Sequence, residues 1–101
     1  MNIVAKGTQL KYIEKYPEAK TAILSWYKEM LRAVFKNFNE LKSVYGNASL
    51  IANNRVIFNI KGNDYRLIIA INFNKNAAYI IWFGTYKEYD KINVSKIIFK
   101  K

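Results

Sequence analysis

Residues 53–90, NNRVIFNIKGNDYRLIIAINFNKNAAYIIWFGTYKEYD, decide how the chain reads. Alternation with a period of two dominates this stretch, the signature of strands with two different faces. Val56, Phe58 and Ile60 share one side of a first strand, with Arg55, Ile57, Asn59 and Lys61 on the other. Gly62-Asn63-Asp64 supplies a turn, after which Tyr65, Leu67, Ile69, Ile71 and Phe73 alternate with Arg66, Ile68, Ala70 and Asn72. Asn74-Lys75-Asn76 turns again into a third strand over 77–85, where Ile80 and Trp82 oppose Tyr79, Ile81 and Phe83. Asn53 and Asn54 tolerate positive φ in a tight turn before the first strand, which pairs with a short strand over 48–51. A polar tail from Thr85 to Asp90 closes the stretch.

Working outward, the N-terminal side reads as helical. A short helix is expected over 8–16, presenting Leu10, Ile13 and Tyr12 or Tyr16, and the sole proline, Pro17, suits the first turn of a second helix. Ile23, Trp26, Tyr27, Met30, Leu31, Val34 and Phe35 then recur at helical spacing, with Lys20, Lys28, Glu29, Arg32 and Lys36 on the complementary face. Such a stripe is core contact, which assigns Trp26 and Tyr27 to packing. Asn39 is a candidate cap for a short helix over 40–45, closed by Gly46 in the left-handed conformation. The end of the chain, 93–101, fits either a brief helix capped by Asn93 or an edge strand through Ile97, Ile98 and Phe99. Helices followed by a strand meander give an α+β class: two to three N-terminal helices on one face of an antiparallel sheet, in a single domain over 1–101.

Composition narrows the function. Half of the 101 residues (51%) are apolar, enough for a core, and no run reaches membrane-spanning length. No apolar stretch behind the N-terminal charges reads as a signal peptide, so a cytoplasmic location is expected. Seventeen Lys/Arg against seven Asp/Glu give a net charge of +10 and a pI near 9.8. The excess is spread: eight basic and four acidic residues in 1–50, nine and three in 51–101. A basic globular domain of this kind meets phosphate or an acidic partner.

The chemistry is narrowed further by what is missing. There is no His and no Cys, which removes the commonest general base, the thiol nucleophile and the usual zinc ligands. Asp64, Glu88 and Asp90 are too sparse for the carboxylate clusters of Mg²⁺ nucleases, and no phosphate-binding glycine motif occurs. Arg, Lys, Tyr and Asn remain. That set suits attack of an RNA 2′-hydroxyl on its own phosphodiester, because the nucleophile belongs to the substrate. The protein has then to orient it, stabilise the phosphorane and move protons. No cofactor is expected.

The run NNRVIFNIKGN followed by Tyr65-Arg66-Leu67, and the later Phe83-Gly84-Thr85 with Glu88-Tyr89-Asp90-Lys91-Ile92, resembles the HigB toxins of type II toxin–antitoxin modules, within the RelE superfamily of mRNA interferases. Tyr16-Pro17-Glu18-Ala19 and Trp26-Tyr27 extend the resemblance to the front, so that it covers nearly the whole chain. It implies a RelE-like fold and metal-independent cleavage of mRNA during translation on the ribosome. It also implies a HigA-like helix-turn-helix antitoxin, through which alone operator DNA would be met. Where relatives tend to read FGTHAEYDKI, this chain carries Tyr86 in place of the histidine. A phenol donates a hydrogen bond more readily than it acts as a base, so the imidazole's role does not transfer.

The resemblance, taken with the residue chemistry, selects Arg66, Tyr86, Tyr89 and Lys91 as catalytic candidates. Arg66 and Lys91 would face the phosphate, while Tyr86 and Tyr89 would stack on a base or donate a proton. Lys61 joins Arg66 in phosphate contact, and Arg55 and Asn72 are expected to orient the RNA backbone. The alternative is a non-catalytic RNA- or ribosome-binding module using the same basic face.

Overall fold

The computed structural model describes residues 1–5, 7–51 and 54–92, apart from the side chains of Thr8, Gln9, Leu10 and Tyr12. In chain order it has β1 (Asn2–Val4), α1 (Gly7–Glu14), a 3-10 turn (Pro17–Ala19), α2 (Lys20–Arg32), α3 (Phe38–Val44), β2 (Ser49–Ile51), β3 (Arg55–Ile60), β4 (Tyr65–Asn72), β5 (Ala77–Thr85) and α4 (Tyr86–Asp90). The strands form one sheet in the order β1-β5-β4-β3-β2. The α+β class is as expected, but the sheet is mixed rather than purely antiparallel. β1 lies parallel to β5, pairing Asn2 with Ala77 and Val4 with Tyr79. Three residues are too few to show a period, and their partners lie more than seventy positions away, so β1 leaves no local signal. The Met1 ammonium extends the same anchor by donating to the Leu31 and Ala33 carbonyls at the end of α2, at 3.0 and 2.7 Å, where a helix favours positive charge.

One face of the sheet is covered by the helices. Val56, Phe58 and Ile60 of β3 and Leu67, Ile69 and Ile71 of β4 are buried there against Ile23, Trp26 and Met30 of α2 and Leu41 of α3. Phe58 is the hub, with Trp26 at 5.5 Å and Tyr45 at 5.1 Å between ring centroids, both edge-on. A second aromatic cluster joins Tyr16, Tyr65 and Phe83, with Tyr65 stacked on Phe83 at 5.3 Å.

The helical stripe is shorter than its spacing predicts. α2 stops at Arg32, and Ala33 turns extended with ψ 147°. Phe35 still reaches the core from the following segment, whereas Tyr27 and Leu31 are exposed and Val34 is 70% exposed. Tyr27 is therefore not the packing residue expected. Asn37 rather than Asn39 caps α3, its side chain accepting from the Glu40 N–H at 3.0 Å. Gly46 is not left-handed; among the described residues positive φ falls on Asn54, Lys61, Gly62 and Asn76, at the ends and turns of the hairpins. The expected backbone of Asn53, the contacts of Leu10 and Tyr12, and the helix-or-strand alternative for 93–101 lie outside the described residues.

The largest correction is in β5. Ile68 pairs with Trp82 and its neighbour Ile69 with Ile80, leaving Ile81 as a β-bulge. The extra residue shifts the phase of the alternation. Phe83 therefore joins Ile80 in the helix-side core, and Trp82 lies with Ile81 on the opposite face, against the expected split.

Candidate active site on the open sheet face

Three isoleucines form the floor of the face that the N-terminal helices leave uncovered. Ile57, Ile68 and Ile81 are buried together, with Ile51, Ala70, Trp82, Tyr89 and Ile92 packed around them. Toward the end of the sheet where β5 gives way to α4, this floor meets polar groups. Asn59 stands opposite Arg66, and Arg66 opposite Gly84, so the three occupy one row across β3, β4 and β5. Arg66 is half-buried, and its Nη1 donates to the carbonyls of Asn63 (2.8 Å) and Tyr65 (3.2 Å). Those bonds fix one nitrogen of the guanidinium and leave the rest of the fork for a phosphate. Asn59 is held through its Nδ2 to the Asn63 side-chain oxygen at 3.0 Å.

Gly84 is required by close approach. A Cβ there would come within 2.7 Å of the Trp82 ring and 2.9 Å of the Glu88 carboxylate. The indole lies over the glycine, and its ring centroid is 6.4 Å from that of Tyr89. Trp82 and Tyr89 together form an aromatic wall on the floor, beside the Arg66 row.

α4 is set in place by a capping box. Thr85 Oγ1 accepts from the Glu88 N–H at 3.2 Å, and Glu88 Oε1 accepts from the Thr85 N–H at 2.9 Å. The same carboxylate accepts from the Tyr16 hydroxyl and lies 3.5 Å from the Lys15 ammonium. Tyr86 N–H donates to the Asp64 carbonyl at 3.1 Å, tying the first residue of the helix to the β3–β4 turn. The hydrogen bond from Tyr16, chiefly, pulls the Glu88 carboxyl down to about 2. Burial and the same carboxylate push the Tyr16 phenol up to about 12. Glu88 is thus a fully engaged anion that orients α4. It is not a free base, nor half of a free pair with Asp90. Among the described residues no three His, Cys, Asp or Glu groups come together to hold a metal ion.

The seven residues singled out from the sequence separate into two sets. Arg66 stands at the end of the sheet where Tyr86 and Tyr89 of α4 and its C-cap residue Lys91 follow β5, with Tyr86 43% exposed and Tyr89 half-buried against Trp82. The other three are placed differently, Lys61 in the β3–β4 turn beside α4, Arg55 under cover and Asn72 at the far end of the sheet. Lys61 leaves β3 into the turn with φ 53°, and its charge helps lower the Glu18 carboxyl, which the Tyr65 hydroxyl mainly holds down. Arg55, expected to orient the RNA backbone, is buried at 8% exposure, and its Nε and Nη1 have no hydrogen-bond acceptor among the described residues. Asn72 stands at the opposite end of β4, its Oδ1 accepting the Lys75 N–H at 3.1 Å to fasten the β4–β5 turn. Trp82 and Asn59 complete the site without having been singled out. Alternation alone already placed Asn59 on the same face as Arg66, but Trp82 was hidden by the bulge.

Comparison with known proteins gives this face a context. The sequence model of the HigB toxin family, the RelE-like toxic component of a toxin–antitoxin system, matches residues 19–92. The chain belongs to the HigB toxin family. It is similar to the mRNA interferase toxin HigB of Escherichia coli K12, 27% identical over 92 residues, covering 89% of this chain and 88% of the relative. The mRNA interferase HigB of Escherichia coli O6:H1 is 26% identical over 94 residues, with 91% of each chain covered. The matched region of the family contains the whole open face from Arg55 to Ile92.

Proposed function

We propose that this HigB-family toxin cleaves mRNA without a metal, at the α4 end of its open sheet face. What supports the reading is the row of Asn59, Arg66 and Gly84 at the sheet end where α4 carries Tyr86 and Tyr89 and is followed by Lys91, in a chain related to named mRNA interferases. The RNA 2′-oxygen attacks its neighbouring phosphorus and loses its proton to solvent water; the P–O5′ bond breaks, and the 5′-oxygen takes up a proton from Tyr86, which solvent restores. The products are a 2′,3′-cyclic phosphate and a 5′-hydroxyl end. Arg66 and Lys91 stabilise the charge that grows on the non-bridging oxygens. Tyr86, the exposed phenol, donates to the leaving oxygen. Tyr89 and Trp82, half-buried and fixed, give a base a surface to stack on.

The chain acts in the cytoplasm on ribosome-bound message and is neutralised by a HigA-like antitoxin with a helix-turn-helix domain. The test is to induce the protein and map the 3′ ends of cleaved transcripts. Cyclic phosphate ends, lost in Arg66→Ala, support the mechanism. Growth arrest with intact transcripts would sink it and favour the non-catalytic ribosome-binding alternative.

A further inference from the structure

The geometry points to a second RNA contact, a nucleotide pocket at the end of the sheet away from α4. It rests on the RNA-cleaving reading above. A cavity of about 350 Å³ opens where the segment between α2 and α3 meets the β4–β5 turn, lined among others by Lys36, Asn37, Phe38, Asn72, Phe73 and Asn74. Asn72 and Arg66 are six residues apart on β4, roughly 20 Å along a strand, so this is a separate place and not an extension of the cleavage face.

The lining offers hydrogen-bond donors. Asn37 Oδ1 is held by the Glu40 N–H at 3.0 Å and Asn72 Oδ1 by the Lys75 N–H at 3.1 Å. With those oxygens committed, each side chain has chiefly its Nδ2 donors left for a ligand. Lys36 adds an exposed ammonium, while its backbone N–H is held by Glu40 at 2.9 Å. Among the described residues no carboxylate lines the cavity. Phe38 and Phe73, both half-buried against the core, supply fixed ring surface. Amide donors, one cation and two anchored rings match a nucleotide: the phosphate meets Lys36, the base stacks on a phenylalanine, and its carbonyl oxygens meet the amides. A base with ring carbonyls, such as uracil, fits this donor-rich set better than adenine, whose exocyclic amine is itself a donor.

The inference can be tested on the intact protein by following backbone amide shifts during titration with uridine 5′-monophosphate, adenosine 5′-monophosphate and inorganic phosphate. Saturable shifts at Lys36, Asn37, Asn72 and Asn74 are expected with the uridine nucleotide, weaker with adenosine and weaker still with phosphate. Lys36→Ala with Asn74→Ala, both exposed positions, should weaken binding on the order of tenfold, and Phe73→Leu should do the same by removing a stacking ring. Equal response to phosphate and nucleotide, shifts indifferent to these variants, or shifts confined to Arg66, Tyr86 and Lys91 would each overturn the pocket. Cyclic-phosphate mapping of the same variants is read separately. Absence of cleavage products in the wild type speaks against the proposed mechanism, whereas absence of nucleotide shifts speaks against this pocket alone.

Discussion

The two faces of the sheet are built from the same strands and the same residue types, yet they have opposite fates. On the helix-covered face, large apolar side chains from β3, β4 and β5 meet α2 and α3, and Phe58, Leu67, Ile69 and Phe83 are almost wholly buried. On the other face, the buried apolar floor is small, Ile57, Ile68 and Ile81 with Arg55 buried beside them, and polar groups begin within one row of it. A face closed by helices has no room for chemistry. A face closed only at its centre combines rigidity with an accessible rim.

The contrast can be broken most severely from the closed side. Phe58→Ala should cost about 3–5 kcal/mol, because it removes the ring on which Trp26 and Tyr45 pack, as denaturant unfolding would measure. Ile68→Ala, on the open floor at 0% exposure, should cost about 2–5 kcal/mol. If it costs almost nothing, the open face has no true core and the contrast is sharper than described. Arg66→Ala tests the rim: cleavage should fall about 10²–10³-fold, the usual effect of losing one charge-stabilising donor, while unfolding midpoints barely move. A stability loss as large as that of Ile68→Ala would recast Arg66 as a structural residue.

Smaller effects sharpen the seam between the faces. Gly84→Ala should cost about 1–3 kcal/mol, since Trp82 and Glu88 must both retreat from the new methyl group, and cleavage should drop with it. Glu88→Gln removes the anion that caps α4, at about 0.5–2 kcal/mol, and should lower kcat more than KM by loosening Tyr86 and Lys91. The pH dependence has a definite sign. Glu88, held at about 2 against an ordinary 4.5, contributes stability that is present above pH 4.5 and lost as pH falls toward 2. Tyr16, raised to about 12 from 10.0, contributes below pH 10 and loses its contribution as pH rises through 12. Thermal melts of Glu88→Gln should lose much of the acid limb and part of the alkaline one. Unchanged limbs would show that the Tyr16–Glu88 contact does not couple the helices to α4.

Much of this was legible from local pattern. The alternation in β3 and β4 identified both faces correctly, because a strand flanked by regular turns keeps its phase from end to end. The site was legible in part. Arg66, Tyr86, Tyr89 and Lys91 were selected by the family resemblance together with their residue chemistry, and the structure sets their backbone at the α4 end of the sheet. Lys61 turns out of the alternation and Arg55 keeps its expected side but is buried, because alternation says only which side a residue takes. It does not say where a strand ends or whether a side chain is covered. Trp82 was misplaced because a single bulged residue inverts the rest of β5, and nothing in Ile80-Ile81-Trp82 announces it.

What the sequence determined by itself is the α+β class, the absence of His and Cys, the basic net charge and the family pattern. These depend on composition and on periods of two and 3.6 residues, which near neighbours in the chain dictate. The tertiary structure alone decided the parallel pairing of β1, the bulge at Ile81, the Tyr16–Glu88 tie that seats α4, and the removal of Asn72 to the far end of the sheet. Each depends on partners several to many tens of residues apart, or on where a strand gains or loses one residue, and no local pattern records either.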